Sequence, residues 1–206
     1  MEKQVSKDRY TFLWYCDRER WVTYWHQLVE ILKLKPASVL EIGKGDGVVG
    51  DYLKNKAAIR YICADIAEDL KPDVIASAEK LPFADNSFDI VCAFEVLEHL
   101  PFEKFAPALA EMRRVASRNV IISLPHWGRH LSFSIRLPFI KEKRWQKKFH
   151  WFAPAHVFNG QHYWEIGKKN FSAAKILEEM KKAGLTLVND FYVFDSPYHH
   201  FFILRK

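Results

Sequence analysis

Apolar positions along this chain change period several times, and each change marks an element. Trp21, Tyr24, Trp25, Leu28, Ile31 and Leu32 recur at the spacing of one helix face, which predicts a helix over 18–34 after a shorter one over 7–16. Pro36 ends that pattern. SVLEIG (38–43), RYICADI (60–66), DVIAS (73–77), FDIVCAF (88–94) and NVIISLP (119–125) are short apolar runs. Runs without polar alternation suit strands covered on both faces. Helical stretches at 47–56 and 102–116 separate them, with Pro107 expected to disturb the first turns of the latter. Alternating strands and helices predict a doubly wound, mostly parallel α/β sheet with helices on both faces.

The regularity breaks at Pro125. Between 126 and 170 the chain holds ten aromatics and five histidines. A helix resumes at 172–183, opened by Ser172 and closed by Gly184. LTLVNDFYVF (185–194) and YHHFFILRK (198–206), joined by Asp195-Ser196-Pro197, then predict an antiparallel hairpin that brings the sheet to seven strands. The expected plan is Rossmann-like: one domain over 1–206, N-terminal helices at 7–34, and a cap inserted after the fifth strand at 125–171. So many aromatics argue against a disordered linker there.

Composition adds three points. The formal net charge is +6, and residues 125–170 carry nine Lys/Arg against two acids, so the excess is concentrated in the cap. Three scattered cysteines (Cys16, Cys63, Cys92) form no C-x-x-C pair, the usage of a reduced, cytoplasmic chain. Charges in MEKQVSKDRYTF replace the apolar stretch of a signal peptide, and no run approaches the roughly 18 apolar residues of a membrane span.

Candidate chemistry begins after the first strand, at Glu41-Ile42-Gly43-Lys44-Gly45-Asp46-Gly47. Glycines let the backbone turn and approach a ligand, and the following helix start offers free amides. The second strand reaches Asp65, where a carboxylate can accept both hydroxyls of a ribose. Val48 breaks the Gly-x-Gly-x-x-Gly spacing of a dinucleotide site. Glu41, Asp46 and Glu95 would surround the pocket, which disfavours a diphosphate and favours a ligand with an amine and a sulfonium.

With VLEIGKGDG, Asp65, SAEKLPFADNSFDIVCAFEVLEHL and the C-terminal helix-plus-hairpin in hand, the chain resembles the class I S-adenosylmethionine-dependent methyltransferases. Within them it is most similar to the group that includes the ubiquinone-biosynthesis methyltransferases. The resemblance is good over 35–125 and loose over 162–206. It implies that Glu41 and the backbone of Gly43, Gly45 and Gly47 hold the methionine part of S-adenosylmethionine. Asp65 would hold the ribose, Ile66, Ser77, Ala78 and Glu79 the adenine, and Phe94 and Glu95 the methionine side; S-adenosylhomocysteine would be the product. Ser77 stands where the family often has Asp. Lys44 replaces a smaller residue and is expected to face solvent. The opening aromatic helices are expected to pack, although such helices often close over the donor in this fold.

Methyl transfer from a sulfonium mainly needs alignment and exclusion of water. A conspicuous nucleophile is therefore not expected. His99, in Glu95-Val96-Leu97-Glu98-His99-Leu100, has three readings: a structural hydrogen bond, a general base, or a metal ligand with Glu95, Glu98 and His162. The last resembles the small-RNA 2′-O-methyltransferases, although Glu-x-x-Glu-His also occurs in metal-free relatives, and no metal is expected. His126, His130, His150 and His156 are expected to be structural.

The leading expectation is O- or C-methylation of a small molecule. Alternatives are RNA methylation, with the basic Lys141–Lys148 stretch and the aromatic Phe149–Phe152 stretch binding the strand, and a non-catalytic S-adenosylmethionine-binding module. The cap's aromatics are otherwise expected to form its own core beneath solvated lysines. An NAD oxidoreductase lacks a second half for the nicotinamide. No Asn-Pro-Pro-Tyr-like sequence follows the fourth strand.

Overall fold

A computed structural model describes residues 7–206; the reading of the first six residues lies outside them. In chain order the elements are α1 (Phe12–Tyr15), α2 (Arg18–Lys33), β1 (Ser38–Ile42), α3 (Val48–Asn55), β2 (Arg60–Asp65), β3 (Val74–Ile75), β4 (Phe88–Phe94), α4 (Phe105–Val115) and β5 (Ala116–Pro125). They continue with β6 (Arg129–Leu137), β7 (Ile140–Phe149), α5 (Ala173–Lys182), β8 (Thr186–Tyr192) and β9 (His199–Arg205). No helix among the described residues is long and apolar enough to cross a membrane.

Seven strands form one sheet in the order β3-β2-β1-β4-β5-β9-β8. β1 to β5 are parallel, and β9 runs antiparallel to both β5 and β8. This is the expected Rossmann-like sheet with its C-terminal hairpin. The chain builds outward from β1 to β3, then returns to place β4 on the other side of β1. That reversal opens a crevice beyond the carboxyl ends of β1 and β4, the position ligands take in open parallel sheets.

The absence of polar alternation in the strands follows from burial on both faces. Val39, Ile90, Cys92 and Ile121 pack with Tyr24 and Ile31 of α2 and with Val49 and Leu53 of α3. Their neighbours Leu40, Val91 and Ile122 pack on the other face with Leu109 and Met112 of α4 and with Ile176 and Met180 of α5. Asp17 caps α2 by accepting from the Arg20 amide, and Ser172 caps α5 through the Lys175 amide.

Three local features differ from the expectation. The opening helix is shorter than 7–16: a 3-10 turn at Lys7–Arg9, then the single turn α1. Pro107 does not disrupt α4, because it falls within the first turn, where no amide partner is required. β5 starts directly where α4 ends, so Ser117 and Arg118 are strand rather than loop.

The segment after β5 divides into two parts. β6 and β7 form a separate two-stranded antiparallel sheet, and nearly all of β6 is exposed. The remainder returns to the main body. Trp164 is fully buried, its indole donates to the Leu100 carbonyl at 3.0 Å, and its ring stands against Phe102 and Phe105. The aromatics therefore do not make a shared cap core: Phe133, Phe139, Trp145, Trp151 and Phe152 face solvent.

Candidate functional site

The end of β1 delivers the loop Gly43-Lys44-Gly45-Asp46-Gly47 to the crevice. All three glycines have positive φ, and Gly47 is the cap residue of α3. Glycine is favoured at 43 for a second reason: a β-carbon there would overlap the Val96 side chain unless that side chain moved.

Two carboxylates hold the loop. Asp65, at the end of β2, accepts the Lys44 amide at 2.7 Å with one oxygen and the Ala67 amide at 2.8 Å with the other. Asp65 also lines the cleft, and each of its oxygens can accept a further hydrogen bond. Asp46 accepts the Tyr24 hydroxyl at 2.6 Å and the Cys16 thiol at 3.4 Å, and so ties the loop to α1 and α2. Burial, then the bond to Asp46, pushes the Tyr24 phenol upward.

Glu41 lies beneath the loop, almost fully buried, and accepts a hydrogen bond from the Tyr61 hydroxyl. Burial raises its carboxyl to about 8, against the lowering effect of the tyrosine. Lys44 does not face solvent as expected. Its ammonium donates to the Leu70 carbonyl at 2.6 Å and the Lys71 carbonyl at 2.7 Å.

These groups line one wall of a cleft enclosing about 910 Å³, part of it open to solvent. Phe94, Glu95 and His99 contribute the opposite wall. Glu95 follows β4 in the left-handed region (φ +54), which points its side chain away from the strand direction. Its Oε1 is buried without a hydrogen-bond partner.

Residues that sequence reasoning did not name as site residues form the roof. Tyr10, Tyr15, Arg20, Tyr24 and Gln27 all line the cleft from the N-terminal segment. Arg20 sits 4.4 Å over the Tyr15 ring. A smaller hollow of about 320 Å³ adjoins, shared by Gly43, Asp65 and Ile66 and closed by Ala76, Ala78 and Leu100. Ser77 and Glu79 line neither hollow. The Ser77 hydroxyl accepts the Glu79 amide at 3.3 Å, and Glu79 pairs with Lys104 at 3.1 Å.

Glu98, His99 and His162 come together: one ligand-type atom from each lies within 4.8 Å of the others. Glu95 stands outside this group, on the cleft wall. Glu98 is fully buried, and neither carboxylate oxygen has a hydrogen-bond partner. Burial, then the neighbouring Glu95 charge, pushes its carboxyl well above the ordinary range. His99 Nδ1 lies 3.0 Å from the Gln161 carbonyl, so Nδ1 carries the proton in that bond. Burial, then His162, lowers the His99 imidazole to about 4, so it is neutral at pH 7.

The other histidines gather elsewhere. His126 is buried between His200 (3.0 Å) and His150 (2.8 Å), and His200 reaches Asp190 at 2.8 Å. His156 bonds the His162 carbonyl at 2.8 Å.

Residues 40–124 match the model of a methyltransferase domain family. No curated protein matches by sequence. Among solved structures, a S-adenosylmethionine-dependent methyltransferase from Aquifex aeolicus superposes with a TM-score of 0.61 at 15% identity, covering 98% of each chain. A protein from Pyrococcus horikoshii gives 0.61 at 15% identity, covering 96% of this chain and 95% of that one. The magnesium protoporphyrin IX methyltransferase of Synechocystis, solved with S-adenosylmethionine bound, gives 0.56 at 16% identity, covering 91% and 81%. The sheet order, the matched segment and these neighbours define a class I S-adenosylmethionine-dependent methyltransferase fold, with the methyltransferase-domain pattern running from β1 to β5.

Proposed function

We propose that the chain binds S-adenosylmethionine in the 910 Å³ cleft and transfers its methyl group to a small-molecule acceptor, by O- or C-methylation. One observation carries this reading. Asp46, Asp65 and Glu95 converge on the cleft above a protonated Glu41, against one lining arginine, Arg20, while the Lys44 ammonium is turned aside onto backbone carbonyls. Such a site suits a ligand with a sulfonium and an ammonium and repels a diphosphate.

In this arrangement the ribose hydroxyls donate to the remaining lone pairs of Asp65, and the adenine enters the hollow beside Ile66 and Ala78. The Gly43–Gly47 backbone and Glu41 receive the methionine part, Glu95 faces its ammonium, and Arg20 from the roof neutralises its carboxylate. Phe94 and the three roof tyrosines exclude water. The methyl group carries the sulfonium's charge to the acceptor, which loses it as a proton, so a dry, aligned cleft is most of what the reaction needs. His99 lines the cleft and is the group we assign to receive the acceptor's proton, although an imidazole lowered to about 4 is a weak base.

The test is methyl transfer from labelled donor to a panel of phenols, enols, carboxylic acids and short RNAs. Label in a small molecule that is reduced at least tenfold by Glu95→Gln supports the reading; label in RNA alone overturns the acceptor class.

A second reading, RNA methylation with a divalent ion, is favoured by one feature, the partnerless Glu98 carboxylate beside His99 and His162. Two imidazoles and the Glu98 carboxylate would hold Mg²⁺ or Mn²⁺, which would supply a Lewis acid. Loss of activity on chelation, restored by Mn²⁺, would favour it. Unchanged activity removes it.

A further inference from the structure

The arm formed by β6 and β7 has no role in the cleft. Cross-strand pairs assign its two faces. Ser132 pairs with Gln146 and Ser134 with Arg144, and this face meets the body. Gln146 donates to the Tyr192 carbonyl at 3.0 Å, Arg144 pairs with Asp195 at 3.2 Å, and Lys148 donates to the His126 carbonyl.

The opposite face carries Leu131 against Lys147, Phe133 against Trp145 and Ile135 against Lys143. Every one of these side chains is exposed, and nothing among the described residues covers them. At the tip, Leu137, Phe139 and Ile140 project, with Phe139 as open to solvent as a residue can be.

Charge is arranged around this apolar strip. The arm, residues 129–149, holds seven Lys/Arg and one acid, Glu142, which Arg136 and Arg144 neutralise at 3.3 and 3.1 Å. Among the described residues Lys141, Lys143 and Lys147 pair with no acid, and they flank the apolar tip and strip.

We infer that this arm docks the protein onto an anionic lipid bilayer, with the tip entering the interface and the lysines resting on headgroups. An apolar point backed by cations is the order of groups a bilayer presents: acyl chains inside, anionic headgroups outside. Single-stranded RNA fits less well. It rewards stacked aromatics and cations; Phe133, Phe139 and Trp145 could stack bases, but Leu131, Ile135, Leu137 and Ile140 interleave them with aliphatic surface that suits acyl chains and not bases. The chain of ion pairs Arg144–Asp195–Arg18 connects the middle of the arm to the start of α2, the helix that carries Arg20, Tyr24 and Gln27 to the cleft. The inference stands independently of the proposed methyl transfer.

The experiment is flotation of the full chain with phosphatidylcholine vesicles containing 0 or about 30% phosphatidylglycerol, with a single-stranded oligouridine as competitor. Each exposed cation near an anionic surface is worth roughly a fivefold change in partitioning. Binding to the anionic vesicles is expected to exceed binding to the neutral ones at least tenfold. Lys141→Glu with Lys143→Glu should abolish that difference, and Phe139→Asp should weaken binding to anionic vesicles several-fold. Phe139 has φ +65, a conformation aspartate tolerates better, and melting temperatures equal to wild type will show that each variant folds. Equal partitioning to both vesicle types, vesicle binding unchanged in the variants, or oligouridine binding that displaces vesicles stoichiometrically would each overturn the proposal.

Discussion

The Tyr24 hydroxyl donates a 2.6 Å hydrogen bond to Asp46, joining the helix α2 to the glycine loop twenty-two residues away. This bond closes the roof over the floor of the cleft. A hydrogen bond to a charged group is worth about 1.5–3 kcal/mol. Tyr24→Phe should therefore lower unfolding stability by an amount in that range and raise the dissociation constant for S-adenosylhomocysteine several-fold. Denaturant melts and calorimetry on the same variant read both. Unaltered donor affinity would mean that the roof does not participate in binding.

Gly43 tests the geometry of the floor. A methyl group there meets Val96 and must also adopt φ +85, so Gly43→Ala should cost about 1–3 kcal/mol. Adding Val96→Ala removes the clash but not the backbone strain. Partial recovery of the thermal midpoint in the double variant is expected; full recovery would show that only the clash mattered.

Glu41 supplies a pH dependence. Burial raises its carboxyl to about 8, so it is mostly protonated at neutral pH in the free protein. A raised carboxyl contributes its stabilisation fully below the unfolded value near 4.5 and loses it as pH rises through about 8. The free protein should thus become less stable between those limits. A bound ammonium favours the charged form, so donor affinity should move the opposite way, rising by up to roughly tenfold per unit until about pH 8. Glu41→Gln should flatten both profiles, as read by melts and calorimetry between pH 6 and 9.

The main sheet was legible because strands covered on both faces leave no ambiguity of period: FDIVCAF is β4 residue for residue. The glycine loop and Asp65 were legible because strand-end position and residue chemistry coincide there. The arm was not foreseen, although Leu131, Phe133, Ile135 and Leu137 alternate in HLSFSIRL as a strand does. Histidines and aromatics drew attention to the composition of the segment instead of its period. The roof was harder. Tyr10, Tyr15 and Arg20 reach the cleft only because α1 and α2 fold back over β1, a tertiary relationship that helical spacing does not encode. Ser77 and Glu79 show the converse: adjacency to Ala78 in sequence did not bring them to the hollow that Ala78 lines.

His99 and Glu98 separate the two acceptor chemistries without knowledge of the acceptor. If no ion is used, Glu98→Met should leave turnover within a few-fold and stabilise the fold, because it replaces a buried, partnerless polar group by an apolar one of similar size. Metal analysis by mass spectrometry with activity after chelation decides this; stoichiometric Mn²⁺ lost together with activity would favour the ion.

The most direct test of the donor site is titration calorimetry of S-adenosylhomocysteine into the wild-type chain and Asp65→Ala. Saturable one-to-one binding, weakened at least tenfold by loss of the carboxylate that faces the ribose, is the predicted result. Absence of binding in the wild type, or equal affinity in the variant, would contradict the account.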